Sequence, residues 1–259
     1  YQFDTKIILR ISGKPQMNIF RYIFWKIALK KIYKVTFPTI ESLEYLKNLN
    51  VVDENKLELL YDPVFIIKEI SKKKQELIQN FDLRKNDYFL AIGRLTKQKN
   101  FIFLVKCFFK LAKDHPDIKL IIIGTGEEKA KINRFIKDNN LDQNIILLGY
   151  QKNVFKFLKN CKAFILSSLW EDPGFVLIEA MVSDCIVLSS NCPNGPKEIL
   201  EKNNGLLFQS DSETDFINKF NNLINLSDNE KKILKINAKK KIKNYSIFHH
   251  YKQIQKLFI

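Results

Sequence analysis

Two glutamates eight positions apart, Glu171 and Glu179, have the clearest potential for chemistry in this sequence. They enclose a glycine-containing turn that follows the apolar run 163–168 and precedes the apolar helix start 176–181. This order predicts a strand, a loop that carries Glu171 and a helix that carries Glu179. Ligands bind at loops that follow the carboxyl ends of strands in α/β sheets, so both carboxylates are expected to face one crevice. The alternative is that acidic residues simply favour the positive end of a helix.

The segment Gly93–Asn100 offers two cations, Arg94 and Lys99, directly after another apolar strand. Arginine can bind phosphate through two parallel hydrogen bonds and lysine acts as a point charge, so the pair suits an anionic ligand. Two surface bases in a strand-to-helix loop would give the same pattern. Two further predicted strands end at glycines, in Gly124-Thr125-Gly126 and Gly149-Tyr150. A short GxG turn alone is weak evidence for dinucleotide binding.

The elements that position these residues alternate between apolar strands and helices. The strands lack a polar and apolar alternation, which is typical of parallel strands that are buried on both faces. We therefore predict the α/β fold class, with a doubly wound, Rossmann-like parallel sheet in residues 87–243. The predicted strands are 88–92, 120–123, 145–148, 163–167, 185–189 and 205–208, and the predicted helices are 101–111, 127–139, 154–159, a helix from 176, and 197–201.

Residues 1–62 carry only two convincing strands, 6–11 and 34–37. Two strands do not form an independent core, so this region is expected to be part of a domain whose other half is absent. The polar run within residues 63–86 predicts a linker. The stretch 20–34 fits either an interfacial helix that faces lipid or a core helix with snorkelling lysines.

The formal net charge of +15 is concentrated at the two ends. Residues 1–40 carry eight Lys and Arg against one acid, and residues 231–259 carry nine Lys and no acid. Clustered bases favour an anionic partner such as an acidic membrane surface, although a lysine-rich composition with solvated faces would look the same. The sequence has no recognisable nucleic-acid-binding motif, so nucleic acid is not an expected partner.

The cysteines and the apolar runs constrain the class of protein further. The four cysteines stand singly, and the three histidines show no ligand spacing with them, so no metal site is predicted. No apolar run reaches the roughly 18 residues of a spanning helix, and the first residues lack a signal-peptide layout. These features favour a cytoplasmic protein, with peripheral membrane contact as a further expectation.

Together, these segments resemble the family-4 glycosyltransferases of the GT-B fold, also called glycosyl transferases group 1. The resemblance covers roughly residues 60–259 and lacks much of the amino-terminal domain. The matching segments are Gly93-Arg94-Leu95, Lys99-Asn100, Gly124-Thr125-Gly126, Gly149-Tyr150, Ser167-Ser168, 171–181, 195–199 and 205–208. By the same resemblance, residues 244–259 form a terminal helix that returns to the amino-terminal domain.

The resemblance implies a role for each candidate site residue. Arg94 and Lys99 are expected to hold the diphosphate of a nucleotide-sugar, Glu171 the hydroxyls of the transferred sugar, and Glu179 the ribose. Arg94, Lys99 and Glu171 are the expected catalytic residues. The expected donor-binding residues are Gly93, Gly124, Gly126, Tyr150, Gly174, Phe175, Val176 and Glu179. Asp172-Pro173 displaces Gly174 from the commoner Glu-Gly-Phe-Gly order, which affects the expected loop shape and not the two glutamates.

These roles predict a retaining, metal-independent transferase without a cofactor. The expected donor is a UDP-sugar, and the expected acceptor is a lipid-linked molecule or a saccharide in polysaccharide or glycan biosynthesis. A nucleotide-sugar epimerase or a phosphorylase on the same fold is one alternative. A basic, non-enzymatic module that binds anionic membrane or nucleic acid is the other.

Overall fold

A computed structural model of the chain describes residues 5–78 and 87–258, which form two parallel sheets surrounded by helices. In chain order the elements are β1 (Ile8–Arg10), α1 (Ile19–Ala28), β2 (Lys34–Phe37), α2 (Ile40–Leu49), β3 (Leu57–Leu59), α3 (Ile67–Lys73), β4 (Phe89–Ile92), α4 (Phe101–Asp114), β5 (Leu120–Ile123), α5 (Lys129–Asp138), β6 (Ile145–Gly149), α6 (Phe155–Asn160), β7 (Ala163–Leu166), α7 (Phe175–Val182), β8 (Val187–Ser190), α8 (Pro196–Ile199), β9 (Leu206–Phe208), α9 (Glu213–Ile224), α10 (Asp228–Ile242) and α11 (Ile247–Lys256). Short 3-10 turns occupy Leu29–Lys31, Glu54–Lys56, Lys97–Lys99 and Lys243–Tyr245.

The chain divides into two compact units. The larger unit runs from Phe65 to Lys243, and the smaller unit combines the residues up to Val64 with those from Asn244 onward. Residues 63–86, the predicted linker, include α3. The remainder of that segment, 79–86, lies outside the described residues, as do residues 1–4 and 259 of the predicted first and last segments.

The larger unit contains a six-stranded sheet in the order β6-β5-β4-β7-β8-β9, with every neighbouring pair parallel. Side chains on both faces are buried: Ala91 and Ile122 join the cluster formed with α4 and α9, while Leu90 and Phe164 on the opposite face are equally inaccessible. The prediction of an α/β fold with a doubly wound parallel sheet is therefore confirmed. Burial on both faces explains why these strands are continuously apolar.

The main core of this unit is rich in phenylalanine. Phe89 from the sheet contacts Phe108 of α4 and Phe220 of α9, with ring centroids 6.0 and 4.7 Å apart. Both helices present apolar residues at helical spacing toward the sheet. Ser212 accepts a hydrogen bond from the Asp215 amide, which fixes the start of α9.

The smaller unit has a third strand that the prediction of two strands missed. β3 pairs with β2, which pairs with β1, and all three strands are parallel. Val35 and Phe37 of β2 lie in a separate hydrophobic cluster, which Leu29 and Leu46 also join. The strand was missed because it has three half-buried residues with a glutamate in the middle, a pattern too short to show a period.

The segment after residue 243 closes the smaller unit. The amide of Val64 donates to the carbonyl of Tyr245 at 2.8 Å, and the rings of Tyr61 and Tyr245 lie 4.9 Å apart. His250 Nδ1 of α11 lies 2.6 Å from the carbonyl oxygen of Tyr61. Tyr245 is 1% exposed, so this segment contributes to the interior of the unit.

Candidate functional site

The strand order of the larger sheet reverses between β4 and β7. From β4 the chain proceeds outward through β5 and β6, and from β7 it proceeds to the other edge through β8 and β9. The two loops that leave such a pair of central strands diverge, and the crevice between them is where open α/β sheets bind ligands. The loops are Gly93–Asn100 after β4 and Ser167–Gly174 after β7.

Lys99 and Glu171 join these two loops directly. Lys99 Nζ lies 2.6 Å from Glu171 Oε1, and the Ser168 hydroxyl donates to the same oxygen at 2.5 Å. The Glu171 side chain is 4% exposed and the Lys99 side chain 14%. A carboxylate this deeply buried requires a compensating charge, and Lys99 provides it. The two residues that the resemblance assigned to different parts of a ligand thus contact each other.

Three hydrogen bonds to backbone carbonyls hold the two loops together. The Ser167 hydroxyl donates to the carbonyl of Lys99 at 2.9 Å, and the Leu169 amide donates to the carbonyl of Gln98 at 2.8 Å. Gln98 Nε2 in turn donates to the carbonyl of Trp170 at 2.9 Å. The ion pair therefore belongs to a rigidly tied junction and does not depend on two freely moving side chains.

Three predicted glycines allow close packing around the first loop. The Lys99 stem crosses Gly93, where a Cβ would lie 3.3 Å from Lys99 Cδ. A Cβ at Gly124, whose φ is +149°, would lie 1.8 Å from the Gly93 carbonyl oxygen. At Gly126 it would lie 2.4 Å from the carbonyl oxygen of Leu95. The loop after β5 consequently packs backbone to backbone against the loop after β4, which only glycine permits.

The second loop ends at Gly174, which begins α7 with a φ of +91°. A Cβ at this position would lie 3.3 Å from Glu171 Cγ, so Gly174 makes space for the buried glutamate. Phe175 and Val176 are the first two residues of α7, and the amides at such a position have no partner within the helix. They are suited to an anion. The peptide bond between Asp172 and Pro173 is cis.

Glu179 lies in the second turn of α7 and is half-buried. Burial raises the pKa of this carboxyl, and the positive charge of Lys73 opposes the rise. Among residues 5–78 and 87–258, no side chain donates a hydrogen bond to the Glu179 carboxylate. A half-buried acceptor without a protein partner is available to a ligand that carries hydroxyl groups.

The turn before α8 contacts the backbone of Glu171, and the sequence did not predict this contact. Asn194 Nδ2 donates to the Glu171 carbonyl at 3.1 Å, and the Glu171 amide donates to the carbonyl of Pro193 at 3.1 Å. A Cβ at Gly195, whose φ is +134°, would lie 1.9 Å from the carbonyl oxygen of Pro173. The sequence Asn-Gly before proline predicts a turn, but it does not predict that the turn contacts Glu171.

The structure brings together part of the predicted site. Lys99 and Glu171 are in contact, Gly174 lies beside Glu171, and Gly93, Gly124 and Gly126 pack within or against the loop of Lys99. Arg94 is exposed in that same loop, and Tyr150, at the end of β6, is 75% exposed. The ligand roles of all these residues stay predictions. In the part of the chain that the structure describes, no three acidic, histidine or cysteine side chains are grouped to hold a metal ion.

A model of the family described as glycosyl transferases group 1 matches residues 71–241 of this chain. The chain belongs to this family. The match includes both loops of the ion pair and all of α7. The prediction that it resembles the group 1 glycosyl transferases is thereby confirmed.

Two relatives match the chain over most of its length. An uncharacterized glycosyltransferase of Methanocaldococcus jannaschii is 35% identical over 209 residues, which are 76% of this chain and 51% of the relative. An N-acetylgalactosamine-N,N'-diacetylbacillosaminyl-diphospho-undecaprenol 4-alpha-N-acetylgalactosaminyltransferase of Campylobacter jejuni is 25% identical over 250 residues, which are 93% of this chain and 66% of the relative. The chain therefore spans about half to two thirds of the length of these relatives.

Solved structures support the fold of this group 1 chain. The structure of HepE from Anabaena in complex with UDP superimposes with a TM-score of 0.83 at 16% identity. The superposition covers 98% of this chain and 72% of HepE. At this identity the likeness concerns the fold alone.

Proposed function

We propose that this chain forms the donor-binding part of a retaining glycosyltransferase that uses a UDP-sugar. The observation that carries the proposal is the buried pair of Lys99 and Glu171, which joins two loops at the reversal of the strand order. A buried ion pair costs desolvation, and charged groups that meet in a crevice of this kind are candidates for ligand binding. UDP is supported as the donor nucleotide because HepE, which shares the fold, is described in complex with UDP.

In this proposal the diphosphate binds to cations that follow β4. Arg94 is exposed and able to make a bidentate contact with a phosphate. Lys99 interacts with a phosphate oxygen as well as with Glu171. The amides of Phe175 and Val176 add two donors at the start of α7. When the bond from sugar to phosphate breaks, negative charge accumulates on the departing diphosphate, and fixed cations lower that barrier. These two cations supply the neutralisation that a metal ion provides in other transferases.

The two glutamates bind neutral parts of the donor. Glu179 accepts hydrogen bonds from the ribose hydroxyls, which satisfies a carboxylate without a partner among the described residues. Glu171 accepts hydrogen bonds from hydroxyls of the sugar through the oxygen that is not held by Lys99 and Ser168. Retention of configuration follows if the acceptor attacks the face from which the diphosphate departs, with a phosphate oxygen accepting its proton.

The acceptor we propose is a lipid-linked molecule or a saccharide. This part of the proposal rests on the Campylobacter relative, whose name describes transfer to a diphospho-undecaprenol-linked sugar. The relative is longer than this chain, so acceptor recognition is assigned to the whole protein and not to the larger unit alone.

Calorimetric titration with UDP and with uridine tests the donor site. Arg94→Gln should weaken UDP binding by about 10- to 100-fold, as expected for loss of a charge-assisted pair, and leave uridine binding unchanged. Glu179→Gln should weaken the binding of both ligands. Lys97→Gln removes an exposed lysine from the same loop and serves as the matched control, with unchanged affinity expected.

Two results would overturn this assignment. One is UDP affinity that stays the same in both Arg94→Gln and Glu179→Gln. The other is a thermal-shift screen in which neither UDP nor any other nucleoside diphosphate stabilises the wild-type chain. Formation of an epimer from a nucleotide-sugar without acceptor would favour an epimerase on the same fold.

A further inference from the structure

Two cysteines meet at the amino-terminal ends of β7 and β8, the end of the sheet opposite the candidate site. Cys161 follows α6 and precedes β7, while Cys185 follows α7 and precedes β8. β7 and β8 are parallel neighbours in the sheet, with Phe164 paired to Val187. The pairing of the strands therefore brings together two thiols that are 24 positions apart in the sequence.

The two sulfurs are close enough for a small movement to join them. Cys161 Sγ lies 3.1 Å from Cys185 Sγ, and both are free thiols. A disulfide needs about 2.0 Å between its sulfurs and about 4.4–6.8 Å between its Cα atoms. Neighbouring strands lie about 4.7–4.9 Å apart, which falls within that range. Only the two side chains then have to approach each other, by about 1 Å.

The pair is buried close to the surface. Cys161 is 5% exposed and Cys185 6%, whereas Cys107 in α4 is 0% exposed. Cys161 Sγ also donates to the carbonyl of Leu158 at 3.3 Å, and Cys185 Sγ has the carbonyl of Ile186 at the same distance. Thiols are weak donors, so loss of their two protons leaves no strong hydrogen bond unmade.

Two sulfurs in contact can also belong to a metal site. A structural zinc site takes four ligands, most of them cysteine and histidine. Within residues 5–78 and 87–258, no group of three cysteine, histidine or acidic side chains is placed to hold a metal ion. The contact between the two thiols therefore favours chemistry of the sulfurs themselves.

We propose that Cys161 and Cys185 are a site of reversible oxidation, at which a peroxide converts the two thiols to a disulfide. The peroxide oxidises one thiol to a sulfenic acid and releases one water. The other thiol attacks that sulfur, the S–S bond forms, and its proton leaves with the hydroxyl group as a second water. One peroxide thus takes two electrons from the two sulfurs. A dithiol reductant returns both thiols by exchange.

The surroundings of the pair make the first step slow and the second step fast. Burial raises the pKa of the Cys161 thiol, the hydrogen bond with Cys185 raises it further, and the charge of Lys235 opposes the rise. The thiolate is the reactive form, so the first attack on peroxide is slow. The second sulfur is already in contact, so it captures the sulfenic acid before further oxidation.

The disulfide would close a ring that contains the acidic half of the candidate site. Residues 161–185 include β7, the loop of Glu171 and all of α7 with Glu179. A cross-link across such a stretch stabilises a fold mainly by restricting the unfolded chain. The bond forms at the end of β7 that is remote from Glu171, so it leaves the ion pair in place. This proposal is independent of the proposed sugar transfer.

Peptide mapping of the full chain tests the modification. The chain is treated with hydrogen peroxide, freed of peroxide by catalase, alkylated in urea and digested with trypsin. Peptide 160–162 should be joined to peptide 163–197, and fragmentation should place the bond at Cys185 and not at Cys192. Dithiothreitol added before alkylation should separate the two peptides.

Thermal unfolding measures the effect of the cross-link. Oxidation should raise the melting temperature of the wild-type chain by about 4–10 °C, and dithiothreitol should reverse the rise. Cys161→Ala and Cys185→Ala should each abolish the rise. Cys107→Ala removes another buried thiol but keeps the pair, so the rise should persist in this control. Each variant is compared with its own reduced form, which removes the effect of the substitution on stability.

Three outcomes would overturn the proposal. The first is full alkylation of Cys161 and Cys185 in the wild-type chain after peroxide treatment. The second is a disulfide that joins Cys161 to Cys192 or to another copy of the chain. The third is a rise in melting temperature that Cys161→Ala and Cys185→Ala retain, because the peroxide would then act elsewhere.

Discussion

Replacement of Lys99 by methionine should destabilise the larger unit by about 2–3 kcal/mol. Breaking a buried ion pair by removal of one partner typically costs about 3–5 kcal/mol, since the other charge stays buried. The Glu171 side chain is 4% exposed and would keep only the Ser168 hydroxyl, but the 14% exposure of Lys99 shows that water reaches the pair and reduces the cost. In a unit of this size the loss corresponds to a decrease in melting temperature of about 4–12 °C.

The assay is a double-mutant cycle of Lys99→Met and Glu171→Gln, with unfolding followed by the fluorescence of Trp170 in a Trp25→Phe background. Glu171→Gln should lower the free energy of unfolding by less than Lys99→Met does, because the lysine left without its partner can turn toward water. The loss of stability in the double variant should be smaller than the sum of the two single losses. The difference, which is the coupling energy of the pair, should be about 1–2 kcal/mol. Lys97→Met, an exposed neighbour, should change stability by less than about 0.5 kcal/mol. Single effects that add within about 0.5 kcal/mol would refute an energetic contribution of the ion pair to the junction of the two loops.

Three further changes test other contacts of the site. Burial raises the pKa of Glu179 above its ordinary value of 4.5, so the folded state loses stability as pH rises from the unfolded-state pKa through the folded-state pKa. Glu179→Gln should therefore be more stable than the wild type at neutral pH but not at low pH. Urea unfolding at the two pH values measures this, and an equal gain at both would contradict it. Gly195→Ala places a Cβ 1.9 Å from the Pro173 carbonyl oxygen and should lower the free energy of unfolding by about 3 kcal/mol or more. Gly149→Ala, where φ is +68° but the space is open, should lower it by about 1 kcal/mol. Equal melting temperatures of the two variants would contradict this. Burial raises the pKa of the Cys192 thiol to about 11, so iodoacetamide at neutral pH should label it in urea and not in the folded chain, as peptide mass analysis would reveal.

The larger sheet was predictable because its strands are buried on both faces. Leu120 to Ile123 and Ala163 to Leu166 are continuous apolar runs with glycine or serine directly after them, as expected for buried parallel strands. Their predicted ends agree with the structure within one residue. The short β3 was not predictable, since its pairing with β2 and not its own composition makes it a strand.

The candidate site was predictable in its residue types and not in its contacts. Glycines and charges after strands indicated where a ligand would bind. The pairing of Lys99 with Glu171 across 72 residues depends on how two loops meet, which no local pattern encodes. The same reason hides Asn194, whose amide reaches the Glu171 carbonyl from a loop that the sequence presents as an ordinary turn.

The division of the smaller unit between two distant stretches of sequence has a consequence for biosynthesis. His250 and Tyr61 meet across 189 residues, and Tyr245 fills the interior next to them. During translation β1 to β3 leave the ribosome early, but their partners from Tyr245 onward emerge after the entire larger unit. The larger unit is contiguous and can acquire its structure as it emerges, which shortens the loop that must later be closed. The strands β1 to β3 therefore remain without these partners until the larger unit has been synthesised.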